Sequence, residues 1–198
     1  MAKVFGKKVL AGVLFGCVVV LSGCAKSPQQ IAIQPNITAV DVLAGQGERI
    51  QVQANDNRPS QELGSRGGTY AKTSVISTKG DVEKALADQI AAKLLASGYQ
   101  VVTENSDILW QVKLEKLTYQ FKKIGNVKKE VALETEFSAE IKQGNRTFRN
   151  RYRANRQWEV VNQPSDARNE EMVNLVISDG LGAMLKDPAI VEFLGQVN

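Results

Sequence analysis

The stretch that decides the fold is EVALETEFSAEIKQGNRTFRNRYRANRQWEV, residues 130–160. Val131, Leu133, Thr135, Phe137, Ala139 and Ile141 alternate without a break with polar neighbours, the period of a half-buried strand. Gly144-Asn145 is a two-residue hairpin turn that folds the chain back on itself. That turn sets Ile141 opposite Phe148, Phe137 opposite Tyr152 and Val131 opposite Trp158 on one face. On the other face Glu140 meets Arg149, Glu136 meets Arg153, and Ser138 meets Arg151. Both faces agree on one register, and a slip by one residue would lose both.

Upstream, Ile108, Trp110, Val112 and Leu114 occupy even positions, whereas Leu117, Tyr119 and Phe121 occupy odd ones. One extra residue at Glu115 or Lys116, a β-bulge, reconciles them. With Gly125-Asn126-Val127 as the connecting loop, Phe121 faces Val131, Tyr119 faces Leu133, Leu114 faces Phe137 and Trp110 faces Ile141. These three strands form a continuous meander.

Further out, residues 49–54, 69–76 and 99–103 read as strands, and residues 55–68 as a loop with Pro59, Gly64, Gly67 and Gly68. Thr78-Lys79-Gly80-Asp81 resembles a capping box with Thr78 as N-cap. The helix after it places Val82, Leu86, Ile90 and Leu94 on one face and ends at Gly98. A second helix is capped by Ser165 or Asn169 and carries Val173, Val176, Ile177, Gly180, Leu181, Met184 and Leu185 as one stripe. Pro188 opens a short terminal helix that buries Ile190 and Phe193 or Leu194. The class is α+β: a largely antiparallel sheet of about five to six strands, in ββ-α-βββ(β)-α order, with two helices packed on one face.

The 198 residues contain no histidine, which excludes Ser-His-Asp and Cys-His hydrolases and histidine-ligated metal or haem sites. No catalytic set, metal site or cofactor motif is expected. Near Gly64, Gly67 and Gly68 no P-loop or dinucleotide fingerprint follows a strand.

At the N-terminus Lys3, Lys7 and Lys8 precede the uncharged apolar run 9–21, too short to span ~30 Å of hydrocarbon. Leu21-Ser22-Gly23-Cys24 follows and resembles the bacterial lipobox. There the cysteine thiol receives a diacylglycerol group and cleavage falls just before it. Cys24 is therefore the expected lipidation site, and the expected layout is a cleaved signal peptide at 1–23, a lipidated tether at 24–48 with a candidate short strand at 31–34, and a periplasmic domain at 49–198. Cleavage removes three of the 25 basic side chains and none of the 21 acidic ones. The remainder is nearly neutral, which argues against nucleic acid as a partner. Ala25 stands where an aspartate favours inner-membrane retention in enterobacterial lipoproteins, so it resembles the pattern sorted to the outer membrane.

The lipobox occurs with residues 31–35, Asp56-Asn57-Arg58 followed by Leu63-Gly64, Ser97-Gly98-Tyr99 after a helix, Gly125-Asn126-Val127 and a helical C-terminus with residues 190–193. In this order the chain resembles the YajG family of outer-membrane lipoproteins over nearly its whole length. The resemblance implies an envelope address and a fold, and it brings no catalytic residue with it.

Three groups are candidate binding residues. Arg58, close to exposed glycine amides, could take a phosphate or carboxylate, or could pair with Asp56 and fix its loop. Lys122, Lys123, Lys128 and Lys129 crowd one hairpin tip and could touch anionic head groups or acidic peptides, or simply discourage aggregation. Arg149, Arg151 and Arg153 line one sheet face, either as an ion-pair ladder or as a binding face with Arg151 unpaired opposite Ser138. Glu134, Glu136 and Glu140 have the strand spacing of an inverting glycosidase pair but lie on a flat, arginine-rich face, where they are expected to be ionised. The expected function is a non-enzymatic outer-membrane lipoprotein. Its partners would be the membrane through its lipid, the lipoprotein maturation and sorting machinery, and an envelope protein, peptidoglycan or anionic lipid. A carboxylate-based envelope hydrolase and a structural accessory subunit are the alternatives.

Overall fold

In a computed structural model, described over residues 28–38, 43–67 and 73–195, the hairpin closes in the register its alternation requires. Strands β7 (Lys129–Gln143) and β8 (Arg146–Val160) pair antiparallel, with Ile141 beside Phe148, Phe137 beside Tyr152 and Val131 beside Trp158. Gly144 takes a positive φ of 56°, as the tight turn demands. Strand β6 (Ile108–Lys123) occupies the other edge of β7, and its register shifts between Leu114 and Lys116. Glu115 is thus the extra residue, and it lets Leu114 and Tyr119 point to the same buried side despite their parity.

The rest of the sheet is mixed. Strand β2 (Arg49–Asp56) runs parallel to the first half of β6, from Ile50 beside Ile108 to Asp56 beside Leu114. Strand β3 (Glu62–Ser65) meets the second half of β6 in parallel at Gly64 and Tyr119. Gly64 is needed there, because a Cβ would lie 1.9 Å from the Tyr119 carbonyl oxygen. Strand β4 (Val75–Lys79) is antiparallel to β3, β1 (Gln29–Ala32) is parallel to β4, and β5 (Gln100–Val101) is parallel to β2. The described residues therefore form eight strands. The α+β class holds, with parallel pairings added around the antiparallel meander. Residues 55–68, read as a loop, include β3, and the strand expected at 69–76 is β4, shifted toward the helix; residues 68–72 lie outside the described segments.

Helix α1 (Val82–Ala96) is capped by Asp81, whose carboxylate accepts the Lys84 amide at 2.8 Å. The expected cap, Thr78, sits instead inside β4, where its buried hydroxyl accepts from Arg58. Val82, Leu86, Ile90 and Leu94 all face inward, and Gly98 turns the chain at φ 94°. Helix α2 (Asp166–Leu185) is capped by Ser165 and buries the whole expected stripe. Gly180 brings it against β7, with a Cβ there only 2.8 Å from the Phe137 ring. Helix α3 (Pro188–Gly195) buries Ile190 and Leu194. One hydrophobic cluster joins the three helices to the apolar side of the sheet.

The boundary expected at residue 49 moves. β1 enters the sheet, and Ile31, Ile33, Ile37 and Leu43 are buried. Beyond β1 the chain runs along α2, where the Gln34 amide donates to Asn174 Oδ1 at 2.6 Å and the Asn36 amide to Ser178 Oγ at 2.9 Å. The tether-like composition concealed this because the backbone amides of Gln34 and Asn36 are satisfied by helix side chains some 140 residues away. The signal peptide at 1–23 and Cys24 lie outside the described residues. Among the described residues no helix is long and apolar enough to cross a membrane.

Candidate functional site: the open sheet face and the lysine hairpin

The face of β6, β7 and β8 turned away from the helices is polar and cross-strand ordered. One row is Gln53, Gln111, Glu140 and Arg149; the next is Asn55, Lys113, Ser138 and Arg151. A third, past the bulge, holds Lys116, Glu136 and Arg153. Arg149 Nε donates to Glu140 at 2.7 Å, and Lys142 Nζ reaches the same carboxylate at 2.9 Å. Arg153 Nε donates to Glu136 at 2.7 Å. Arg151 is not left alone by Ser138: it reaches diagonally to Glu136 at 3.2 Å, while the Ser138 hydroxyl donates to Glu115 at 2.6 Å. Diagonal reach across the pleat, which pairing by register ignores, accounts for the difference. Lys113 is exposed and makes no ion pair among the described residues.

Between these rows lies an open cleft of about 470 Å³ lined by Gln111, Lys113, Ser138, Glu140, Arg149 and Arg151. Its carboxylate is firmly charged. Hydrogen bonds from Arg149 and Lys142 hold the Glu140 carboxyl down to about 2, and Arg153 with Arg151 holds Glu136 below the usual carboxylate range. Neither can store the proton a glycosidic leaving group needs. Because the folded Glu140 carboxyl titrates lower than its unfolded counterpart near 4.5, its contribution is complete above that pH. The contribution drains away as pH falls toward 2. Acid unfolding followed by circular dichroism is expected to begin at higher pH than the core alone dictates, and Glu140→Gln is expected to flatten the curve between those limits. An identical curve for the variant would contradict the pairing. Exposure of Arg149 keeps the effect small.

Arg58 is placed differently. Its side chain is only 3% exposed; Nε and Nη2 form a fork on Asp56 at 2.7 and 2.5 Å, and Nη2 also donates to Thr78 at 3.1 Å. The guanidinium thus fixes its own loop to β4, through the pairing with Asp56 that the sequence also offered.

Lys122 and Lys123 close β6, Lys129 opens β7, and Lys128 precedes it, so the four gather at one tip. The tip is closed by the Ile124 amide donating to the Lys128 carbonyl at 3.1 Å. Lys128 Nζ pairs with Glu159 at 2.7 Å on the neighbouring strand. Ile124 and Val127 between the lysines are exposed, as is Val161 just after β8.

Sequence spacing gave no sign of a buried polar network beside this end. Arg66 Nη1 donates to the Asp166 carboxylate and to Gln29 Oε1. Asn169 Nδ2 donates to the same Gln29 oxygen at 2.9 Å, and the Tyr119 hydroxyl donates to Asn169 Oδ1 at 2.8 Å. Burial pushes the Tyr119 phenol well above its ordinary value. The network fastens β1 to α2 and β6. Among the described residues no group of acidic or cysteine side chains is arranged to hold a metal ion.

Comparison with known proteins bears on the whole of this domain. The family model described as an uncharacterized lipoprotein matches residues 35–195. The uncharacterized lipoprotein YajG of Escherichia coli K12 is 27% identical over 179 residues, covering 89% of this chain and 91% of the relative. The resemblance read from the lipobox and the ordered motifs is thereby borne out. Among solved structures, protein XCC0632 from Xanthomonas campestris is 12% identical with a TM-score of 0.47, over 85% of this chain and 91% of that one. The rare lipoprotein B from Shewanella oneidensis is 13% identical with a TM-score of 0.40, over 72% of this chain and 96% of that one.

Proposed function

Because the chain belongs to this family of uncharacterized lipoproteins, we propose that it is a non-enzymatic outer-membrane lipoprotein that displays a binding domain in the periplasm. Cys24 carries the lipid after removal of residues 1–23, and Ala25 permits sorting outward. The open face of β6–β8 receives a partner that presents carboxylates, as an acidic protein surface or a peptidoglycan stem peptide does.

The observation that carries the binding role is the cleft itself. Lys113, Arg149 and Arg151 stand at its walls, and the carboxylates among them are ionised and paired. Exposed arginines on weak surface pairs can exchange Glu136 and Glu140 for an incoming carboxylate at little cost. A hydrolase built on the same carboxylates would need one held neutral, which the surrounding cations oppose.

The test places a photo-crosslinking amino acid at Gln111 in intact cells and identifies the products by mass spectrometry. A discrete envelope product is expected, and the triple variant Lys113→Glu, Arg149→Glu, Arg151→Glu should lose most of it while keeping its lipid label. A stoichiometric protein product and a muropeptide product distinguish the two sources of carboxylate. An unchanged product in the variant, or turnover of muropeptides by the purified protein, refutes the reading.

A further inference from the structure

The lysine tip and the N-terminal end of β1 point toward the same end of the sheet. Gln29 sits beside Ile76, Ile76 beside Gly64, and Gly64 beside Tyr119, so one row crosses β1, β4, β3 and β6. β1 is parallel to β4, β4 antiparallel to β3, and β3 parallel to β6, so β1 runs opposite to β6. Going backward along β1 from Gln29 therefore leads in the direction β6 takes from Tyr119 to Lys123. Cys24 precedes Gln29 by five residues, no more than about 18 Å of extended chain. Five residues beyond Tyr119, along β6, is Ile124 at the hairpin tip.

The chemistry of that tip matches what such a tether would bring close. Among the described residues, four lysines, Lys122, Lys123, Lys128 and Lys129, have Glu130 beside Lys122 and Glu159 beside Lys128 as their acidic neighbours. Between them Ile124 and Val127 are 47% and 65% exposed, and Val161, 60% exposed, follows the strand end beside Lys129. Exposed aliphatic side chains ringed by lysines suit an interface in which the ammoniums meet phosphodiesters and the methyl groups enter the head-group layer.

We infer that the β6–β7 tip is a membrane-contact element that seats on anionic phospholipid head groups, fixing how the domain stands on its bilayer. The inference rests on the proposed lipidation of Cys24, which sets the tether length. It gives the domain a posture. The Gly144-Asn145 turn and α3 lie at the far end, and the open face of β6–β8 stands roughly upright on the surface and clear of it.

The test uses the full lipidated protein in vesicles. With Cys17 removed and Cys24 acylated, Val127→Cys is the one thiol for an environment-sensitive fluorophore, and Asn145→Cys serves as the far-end control. Flotation reports the anchor independently of the tip. In phosphatidylglycerol–phosphatidylethanolamine vesicles, the label at 127 is expected to blue-shift and to be quenched by a lipid-borne quencher, while the label at 145 stays aqueous. Quenching at 127 should be lost in phosphatidylcholine, at high salt, and in the Lys122→Glu, Lys123→Glu, Lys128→Glu, Lys129→Glu variant with an unchanged melting temperature. A protein that floats with 127 no drier than 145, or equally dry in phosphatidylcholine, overturns the contact and leaves the anchor standing. A protein that does not float overturns the anchor, and the contact with it.

Discussion

Cys24→Ser is expected to abolish incorporation of labelled palmitate and to move the chain from the membrane to the soluble envelope fraction. Only a thiol can form the thioether that holds the diacylglycerol, and a serine hydroxyl at the same place offers nothing for that bond. Each buried methylene contributes ~0.8 kcal/mol, so losing the acyl chains removes most of the membrane affinity. The lysine tip alone cannot replace them, since its attraction is screened within ~8 Å at physiological salt. The fold should survive, because β1 opens at Gln29 and, among the described residues, the network of Arg66, Asp166, Asn169 and Tyr119 reaches the N-terminal segment through Gln29. The measurement is palmitate labelling with fractionation, alongside a melting curve that should coincide with wild type. Equal labelling of the serine variant would remove the anchor and every argument about orientation that rests on it.

The meander was legible because its signals are dense and redundant. Alternation over β7 and the Gly144-Asn145 turn fix one register, and the parity change between Leu114 and Leu117 localises the bulge to Glu115 within one residue. Where a strand shortens to four residues inside a stretch rich in glycine and proline, as β3 does, two periods of alternation cannot be told from chance. Ile31 and Ile33 carry the right pattern for β1, but only the side chains of Asn174 and Ser178 make the following backbone affordable to bury. Parallel partnership of β2 with β6 leaves no turn between them to read. The helix start shows a different failure. Thr78 and Asp81 are both good caps three residues apart, and Thr78 loses because β4 continues through Lys79 and Arg58 takes its hydroxyl. The lysine cluster was visible as a cluster, but its meaning required the strand directions that put Gln29 and Lys123 toward one end.

Gly180→Ala is expected to change sign with its background. In the middle of an exposed helix the substitution ordinarily stabilises by about 1 kcal/mol, through backbone entropy. Here the added Cβ would stand 2.8 Å from Phe137 Cε2 and 3.0 Å from Thr135 Cγ2, both on β7 beneath α2. Phe137 is fully buried and registered between Leu114 and Tyr152, so its ring has nowhere to retreat. Overpacking of this kind typically costs about 1–3 kcal/mol, which cancels or exceeds the propensity gain. Phe137→Ala alone should destabilise by about 3–5 kcal/mol, from lost transfer energy and the cavity under α2. Once the ring is gone, the closest contact at position 180 goes with it, and the Thr135 methyl at 3.0 Å needs to give only a few tenths of an ångström. Gly180→Ala should then stabilise the Phe137→Ala chain, so the double variant is more stable than the single truncation. The coupling, read from denaturant melts of all four chains, should fall within the roughly 0.5–3 kcal/mol seen for residues in contact. Simple additivity would mean that α2 does not rest on β7 through Gly180, and the helix-covered side of the sheet would have to be redrawn.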